Sequence, residues 1–90
     1  MKKYEELTRE EKLACVSLYP EESKKDTDEN IRIEVWRALG FTEKAKRDSF
    51  WMIRIGAWRA LGYTEEAKRD TDEDIRREAE IYFSVLDQEL

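Results

Sequence analysis

Apolar residues recur along the chain at the three- and four-residue spacing of amphipathic helices, and this pattern returns every 22 residues. Within residues 28–39, Ile31, Val35, Ala38 and Leu39 fall on one helical face. The next two units carry similar residues at the corresponding positions: Ile53, Ala57, Ala60 and Leu61, then Ile75, Ala79, Tyr82 and Phe83. The pattern predicts one long helix in each unit, with its apolar face toward the core.

Two copies of the repeat are nearly identical. Residues 36–48 read WRALGFTEKAKRD and residues 58–70 read WRALGYTEEAKRD, so they differ only at 41/63 and 44/66. A repeat of this length is typical of solenoids, in which each unit buries its apolar face on its neighbours. We divide the single domain, residues 1–90, into a degenerate unit 4–25, two full units 26–47 and 48–69, and a last unit 70–90.

Each full unit is predicted to add a short helix after the long one. Gly40 and Gly62 follow the long helices, where a left-handed residue commonly ends a helix. Short helices are expected to begin at Thr42 and Thr64, and near Pro20 in the first unit. One residue of each aspartate–hydroxyl pair is expected to cap the next long helix: Asp26 or Thr27, Asp48 or Ser49, Asp70 or Thr71.

The chain ends are predicted to differ from the middle. A first helix is expected over residues 4–18, burying Leu7, Leu13, Ala14 and Val16. The last unit has no glycine turn, so its helix is expected over about residues 72–88, with the apolar pattern continuing toward Leu90. A longer terminal helix with a charged outer face is a common way to close a solenoid.

Charge and composition limit the partners. The net charge is −5, and residues 70–90 carry eight acidic and two basic side chains. The basic pairs elsewhere are interrupted by acids, so no direct nucleic-acid partner is expected. No apolar run reaches about 18 residues, so no membrane-spanning segment is expected. Cys15 is the only cysteine, which fits a reducing compartment.

Aspartate and arginine recur six residues apart, in register, in three units: Asp26 and Arg32, Asp48 and Arg54, Asp70 and Arg76. With the WRALG[FY]TE-x-AKRD segment, this spacing resembles HEAT-like repeats in their short bacterial and viral variants, and the leucine-rich-repeat variant in unit length. The resemblance covers about residues 19–83. It implies an all-α, short right-handed α-α solenoid of about four helical repeats with a longer C-terminal capping helix.

The same resemblance implies an Asp–Arg ladder between units and a protein–protein binding role without chemistry of its own. A partly buried arginine needs a carboxylate, and we expect the aspartate of the preceding turn to supply it. The resemblance to bacterial and viral variants also implies a cytoplasmic location in a bacterial cell, with a virus-encoded origin as an open alternative.

Catalytic and metal sites are not expected. The chain has no histidine, one cysteine and no glycine-rich phosphate loop, so an enzyme is disfavoured and no cofactor is implied. The runs DTDEN (26–30) and DTDED (70–74) resemble the start of a calcium-binding EF-hand loop. Their sixth and twelfth positions hold Ile31 and Arg37, then Ile75 and Ile81, where glycine and glutamate are required. Helix capping explains these acids better.

Unit three breaks the repeat where its long helix starts. Phe50-Trp51-Met52 stands where the neighbouring units have Asp28-Glu29-Asn30 and Asp72-Glu73-Asp74. Two interpretations stay open: packing between units, or a partner-binding surface, for which Trp and Met are favoured residues. The predicted surface, rimmed by Arg37 and Arg59, comprises Ile33, Trp36, Phe50, Trp51, Met52, Ile55 and Trp58. Phe50 and Met52 are expected to be the most exposed.

The leading functional prediction is a non-enzymatic module that binds another protein through its middle repeats. One alternative is an acidic phage-type inhibitor or nucleic-acid mimic that blocks a nucleic-acid-binding enzyme, for example a CRISPR effector, through Asp72, Asp74, Glu78 and Glu80. A second alternative is a purely structural protein that forms a homodimer through its C-terminal helix, where Ile81 and Val85 lie off the core face.

Overall fold

A computed structural model describes residues 1–88; residues 89 and 90, with Leu90 at the end of the predicted last unit, lie outside the described part. The α-helices are α1 (Arg9–Ala14), α2 (Pro20–Lys24), α3 (Glu29–Leu39), α4 (Trp51–Leu61) and α5 (Glu73–Gln88). Three 3-10 helices cover Tyr4–Glu6, Glu43–Arg47 and Glu65–Arg69. Residues 1–88 contain no β-strand, and the predicted all-α class is confirmed.

The molecule is elongated. Its principal extents are 53 × 23 × 17 Å, and its radius of gyration is 15.5 Å. A compact chain of this length would have a radius of gyration of about 12 Å. Each long helix packs on the short helix that precedes it in the chain: α3 on α2, α4 on Glu43–Arg47 and α5 on Glu65–Arg69. In the described part of the chain, no helix is both long and apolar enough to cross a membrane.

The core is built from corresponding positions of successive units. Three columns of buried residues run through it: Ile31, Ile53 and Ile75; Val35, Ala57 and Ala79; Ser23, Ala45 and Ala67. The isoleucine and Val/Ala columns are those that the helical spacing predicts. The alanines or serine of the third column lie on the short helices, where a small side chain lets the short helix approach the long one closely.

The far end of the predicted apolar face is not buried. Ala38, Leu39, Ala60 and Leu61 are exposed, as is Tyr82 in the last unit. The residues that are buried instead are Ile33 and Trp36 on α3, and Ile55 and Trp58 on α4. The physical reason is that each middle helix has neighbours on two sides, the preceding short helix and the adjacent long helix, so its buried face is wider than one stripe.

The N-terminal segment is not one long helix. After the 3-10 turn Tyr4–Glu6, the chain is extended at Leu7 and starts α1 at a capping box. The Thr8 hydroxyl accepts from the Glu11 N–H at 3.1 Å, and the Glu11 carboxylate accepts from the Thr8 N–H at 2.9 Å. Of the four residues expected to be buried there, Val16 is buried, Leu7 and Leu13 are partly buried, and Ala14 is exposed.

The helix ends follow the predictions in part. Pro20 lies in the first turn of α2. Thr42 and Thr64 stand at the N-cap positions of their 3-10 helices, but neither side chain accepts a hydrogen bond from the helix. Gly40 and Gly62 end α3 and α4 with φ of 95° and 93° and ψ of 145° and 143°. This extended region of positive φ is open almost only to glycine, and it differs from the left-handed helical cap that we expected.

We expect Ser23→Ala to raise the free energy of unfolding by about 1 kcal/mol. The Ser23 hydroxyl is fully buried and has no hydrogen-bond partner among residues 1–88, so it loses its hydration without compensation. Ala45 and Ala67 occupy the same fully buried position in the next units. Urea denaturation measures the change. The reverse substitution, Ala45→Ser, should destabilise by a similar amount, and equal stability of all three proteins would contradict the prediction.

Candidate functional site

Two arginines bridge consecutive units. Arg54 donates from Nε and Nη2 to the two carboxylate oxygens of Asp70, both at 3.0 Å, and from Nη1 to the carbonyl of Asp48 at 2.9 Å. Arg32 makes the same contacts with Asp48, which lies sixteen residues later. It donates from Nε and Nη2 to the Asp48 carboxylate at 3.1 and 3.0 Å, and from Nη1 to the Asp26 carbonyl at 2.9 Å. These bidentate pairs, which we call the ladder, tie each long helix to the start of the next unit.

The carboxylate partner of each arginine differs from our expectation. Within its own unit, Arg54 contacts Asp48 only through the backbone carbonyl of that residue. The carboxylate that pairs with Arg54 belongs to Asp70 of the following unit. The reason is that each ladder carboxylate faces back toward the preceding unit and accepts a backbone N–H two residues ahead: Asp26 from Asp28, Asp48 from Phe50, Asp70 from Asp72, at 2.7–2.8 Å. Arg76, in the last unit, donates to the Asp70 carbonyl at 2.7 Å.

The ladder aspartates therefore organise the turns before the helices but do not cap them. The N-cap of α3 is Asp28, whose side chain accepts from the Asn30 N–H at 2.9 Å. Asp72 accepts from the Asp74 N–H at 2.9 Å in the last unit. The expectation that Asp26 or Thr27 caps α3 is thus wrong by one residue. These bonds also account for the acidic runs that resemble an EF-hand.

Hydrogen bonding favours the charged forms of two ladder residues, Asp70 and Arg32. Burial alone would raise the pKa of Asp70, but hydrogen bonds from Arg54 and from the Asp72 N–H outweigh it and hold that pKa below its ordinary value. The hydrogen bond to Asp48 raises the pKa of Arg32. At the first unit, Tyr4 takes the place of an arginine and donates to Asp26 at 2.5 Å. Burial, followed by that hydrogen bond, raises the pKa of Tyr4 to about 12.

Trp36 and Trp58 belong to the core, where they are 3% and 2% exposed. Each indole stacks on the aromatic residue five positions later, Trp36 on Phe41 at 6.5 Å and Trp58 on Tyr63 at 6.1 Å, with interplanar angles of 11°. A lysine ammonium lies over each indole: Lys24 at 4.8 Å from the Trp36 ring centroid and Lys46 at 4.4 Å from that of Trp58. These contacts fit packing and cation–π attraction within the fold.

Four of the seven residues predicted to form a partner-binding surface are largely buried. Ile33, Trp36, Ile55 and Trp58 are buried because α3 and α4 are covered on two sides. The burial of Trp36 and Trp58 agrees with packing between units, whereas Ile33 and Ile55 also line the groove described below.

The start of α4 leaves two large apolar side chains in solvent. Trp51 is 40% exposed and Met52 is 37% exposed. Phe50, which we expected to be exposed, is partly buried against the core between α3 and α4. Phe50 also occupies the N-cap position and gives no side-chain hydrogen bond, unlike Asp28 in α3. The aromatic exchange thus gives up a polar cap, typically worth about 1 kcal/mol, while Trp51 and Met52 remain exposed.

Trp51 and Met52 line a groove between α3 and α4 with a volume of about 310 Å³. The remaining lining residues are Ile33, Arg37, Phe41, Ile55, Gly56 and Arg59. Its walls are thus apolar and aromatic, with two guanidinium groups, and it has room for one or two side chains of a partner. We refer to it as the α3–α4 groove.

Gly56 determines the shape of the α3–α4 groove. A Cβ atom at this position would lie 2.6 Å from Cζ and 2.8 Å from Cε1 of Phe41, so the ring can lie against α4 only because residue 56 is glycine. The corresponding positions of the neighbouring units hold Glu34 and Glu78. This exception in the repeat was the signal for Gly56 and Phe41, which the sequence interpretation did not include in the site.

One unit later, the position that corresponds to Gly56 is held by Glu78, whose carboxylate accepts hydrogen bonds from two side chains. Glu78 accepts from Arg59 Nε at 2.9 Å and from the Tyr63 hydroxyl at 2.6 Å, and it is also paired with Arg59 Nη2. The Arg59 hydrogen bonds lower the pKa of Glu78. Burial, followed by the bond to Glu78, raises the pKa of Tyr63. On this surface, between α4 and α5, the polar groups of Arg59, Tyr63 and Glu78 are bound to one another.

The four residues of the predicted acidic patch do not form one free surface. Asp72 is engaged at the start of α5 and Glu78 is bound to Arg59 and Tyr63. Asp74 lies 3.4 Å from Arg77, and Glu80 is exposed. The structure therefore leaves mainly Asp74 and Glu80 open to a partner.

A wider hollow of about 780 Å³ follows the ladder, and the ladder residues in its wall are already engaged within the chain. Arg54 and Asp70, which line it, are paired with each other. Within residues 1–88, no group of three or more Cys, Asp or Glu side chains is arranged to hold a metal ion. In comparisons with known protein families, curated proteins and solved structures, no match to this chain was found.

Proposed function

We propose that this chain is a small HEAT-like α-solenoid of about four repeats that binds another protein, without chemistry of its own, through the α3–α4 groove and the adjoining Phe50, Trp51 and Met52. In this proposal the solenoid is right-handed and α5 is its capping helix. A cytoplasmic location is included because the single cysteine, Cys15, suits a reducing compartment.

The observation that supports this proposal most strongly is the pair of exposed apolar side chains, Trp51 and Met52, beside a preformed groove. Trp and Met are enriched at the buried centres of protein interfaces, where a few such residues carry most of the binding free energy. A groove whose shape is fixed by Phe41 on Gly56 needs little reordering on binding, which reduces the entropic cost.

The ladder supports the proposal by giving the surface a rigid base. Arg32 and Arg54 hold the starts of α4 and α5 through bidentate pairs on both sides of the groove-bearing unit. Binding residues placed on such a frame keep a defined geometry, whereas the same residues on an unrestrained loop would not.

We expect Trp51→Ala to weaken binding at this surface by about tenfold or more, because an aromatic anchor at an interface centre is commonly worth about 2 kcal/mol. The probe is a set of peptides selected from a random phage-displayed library on the immobilised full chain, with dissociation constants measured by fluorescence polarisation. Leu61→Ala is the matched control, since Leu61 is an exposed apolar residue of α4 outside the groove.

Circular dichroism of each variant establishes that the fold is intact. If the selected peptides bind wild type and Trp51→Ala equally, or if Leu61→Ala has the larger effect, the proposed surface is wrong.

A second candidate is self-association through α5. Ile81, Val85 and Leu86 are exposed on this helix in the described part of the chain. Multi-angle light scattering tests this candidate, because a dimer that dissociates on Ile81→Glu and Val85→Glu substitution supports it, and a monomer contradicts it.

A further inference from the structure

The repeat allows the α3–α4 groove to be compared with the same place one unit later. Adding 22 to each residue number gives the surface between α4 and α5. Two of the eight corresponding residues are apolar, Ile55 and Ile81, and the other six are polar and largely satisfy one another: Arg59, Tyr63, Glu73, Asp74, Arg77 and Glu78. There, Arg59 and Tyr63 bind Glu78, and Arg77 lies 3.2 Å from Glu73.

The α3–α4 groove presents a different set on the same frame: Arg37, Phe41, Trp51, Met52, Ile55 and Gly56. Gly56 corresponds to Glu78, so the carboxylate is missing. Phe41 corresponds to Tyr63, so the hydroxyl is missing. Arg37 stands where Arg59 does, but the residue opposite it, Gly56, offers no acceptor side chain. The groove therefore has the cation of the ion pair and lacks the anion.

Arg37 is only weakly engaged within the chain. Its partner is Glu34, three residues earlier on α3, at 3.2 Å, and both side chains are about half exposed. Exposed pairs of this kind are worth at most about 1 kcal/mol. A carboxylate brought into the groove can bind the guanidinium in bidentate fashion beside apolar side chains, and bidentate pairs are stronger.

We propose that the α3–α4 groove binds an acidic, apolar segment of another protein, with an aspartate or glutamate carboxylate on Arg37 in the position that Glu78 takes on Arg59. A large apolar side chain beside that carboxylate contacts Trp51 and Met52. The inference rests on the proposed function and adds the chemistry of the partner. The second positive group at the rim, Arg59, favours the same charge on the ligand, although Glu78 already binds it.

The test uses the peptides that bind the full chain and depend on Trp51. They are expected to contain Asp or Glu within one helical turn, or two extended residues, of a large apolar residue. Changing that acid to its amide should weaken binding to wild type about tenfold and should have little effect on binding to Arg37→Gln. This double-mutant cycle isolates the pairing of Arg37 with the acid.

A second variant, Phe41→Tyr with Gly56→Glu, copies the surface between α4 and α5 into the groove. A Cβ at residue 56 requires the ring at residue 41 to move away from α4. The pair Tyr63 and Glu78 shows one unit later that this frame can hold both side chains, so the variant is expected to fold, and its new carboxylate should engage Arg37 and abolish peptide binding. Circular dichroism checks its fold. If it does not fold, the Arg37→Gln cycle carries the test alone.

The outcomes are distinct. Peptides that depend on Trp51 but lack an acid, or that bind Arg37→Gln and wild type with the same acid dependence, overturn this inference and leave the proposed function standing. Absence of any Trp51-dependent peptide overturns both. A wild-type dimer that becomes monomeric in the Phe41→Tyr, Gly56→Glu variant would assign the groove to a second copy of the chain, and would also overturn the inference.

Discussion

Trp58→Ala is expected to lower the free energy of unfolding by about 3–5 kcal/mol, the usual cost of removing a large aromatic side chain from a core. Trp58 is 2% exposed and stacks on Tyr63, with 6.1 Å between the ring centroids. The Lys46 ammonium lies 4.4 Å from the centroid of the Trp58 ring. A chain of this length has a total stability of only about 5–13 kcal/mol, so the loss is a large fraction of it. Urea denaturation followed by circular dichroism measures the change.

Trp51→Ala is the matched control for this prediction, because it removes the same side chain from a position that is 40% exposed. Its expected cost is about 1 kcal/mol or less. Acrylamide quenching should agree, with Trp51 accounting for the accessible fluorescence and Trp58 protected. Equal destabilisation by the two substitutions would mean that the distinction between core and surface tryptophans is wrong.

Arg54→Ala is expected to destabilise the chain by about 3–5 kcal/mol, because it leaves a largely buried carboxylate without its partner. The side chains of Arg54 and Asp70 are 13% and 8% exposed. The substitution also removes the donors to the Asp48 and Ser49 carbonyls, at 2.9 and 3.1 Å. Thermal and urea denaturation measure the effect. The control is Arg77→Ala, whose exposed ion pairs should contribute about 0.5 kcal/mol or less.

The pH dependence provides an independent check on this rung. Because the pKa of Asp70 is lower in the folded chain than in the unfolded chain, its stabilising effect is present above the unfolded pKa of about 4 and is lost as the pH falls through the folded value. The stability difference between wild type and Arg54→Ala should therefore shrink below about pH 4. A difference that stays constant down to pH 2 would argue against an ion pair as its source.

The sequence was sufficient for the helices of the repeat because their spacing and turn residues are local. Ile31, Val35 and Gly40 predict α3 and its end from the chain alone. Burial of Ile33 and Trp36 was missed because it depends on tertiary contacts, with neighbours on both sides of α3. The shorter first helix was missed for a different reason: the capping box of Thr8 and Glu11 is local, but the spacing of apolar residues does not reveal it.

The candidate site could be located from the sequence but not resolved into individual residues. The replacement of polar residues by Phe50-Trp51-Met52 points to the start of α4, where Trp51 and Met52 are exposed, yet a helical stripe cannot tell which of its members another element covers. The exposure of Trp51 and the burial of Trp58 are decided by packing against neighbouring elements. Gly56 and Phe41 could have been found by aligning the units, because glycine replaces a glutamate that both neighbouring units have.

The ladder has a consequence for how such a chain can change in length. Each rung is supplied wholly by two adjacent units, and the arginine always reaches an aspartate sixteen residues ahead. Gain or loss of a whole 22-residue unit keeps every such pair in register, whereas gain or loss of a few residues between Arg54 and Asp70 would separate the pair. The length of the chain can therefore change only by whole 22-residue units if the ladder is to be kept. A single altered unit, such as the one that begins with Phe50, can then specialise while its copies preserve the frame.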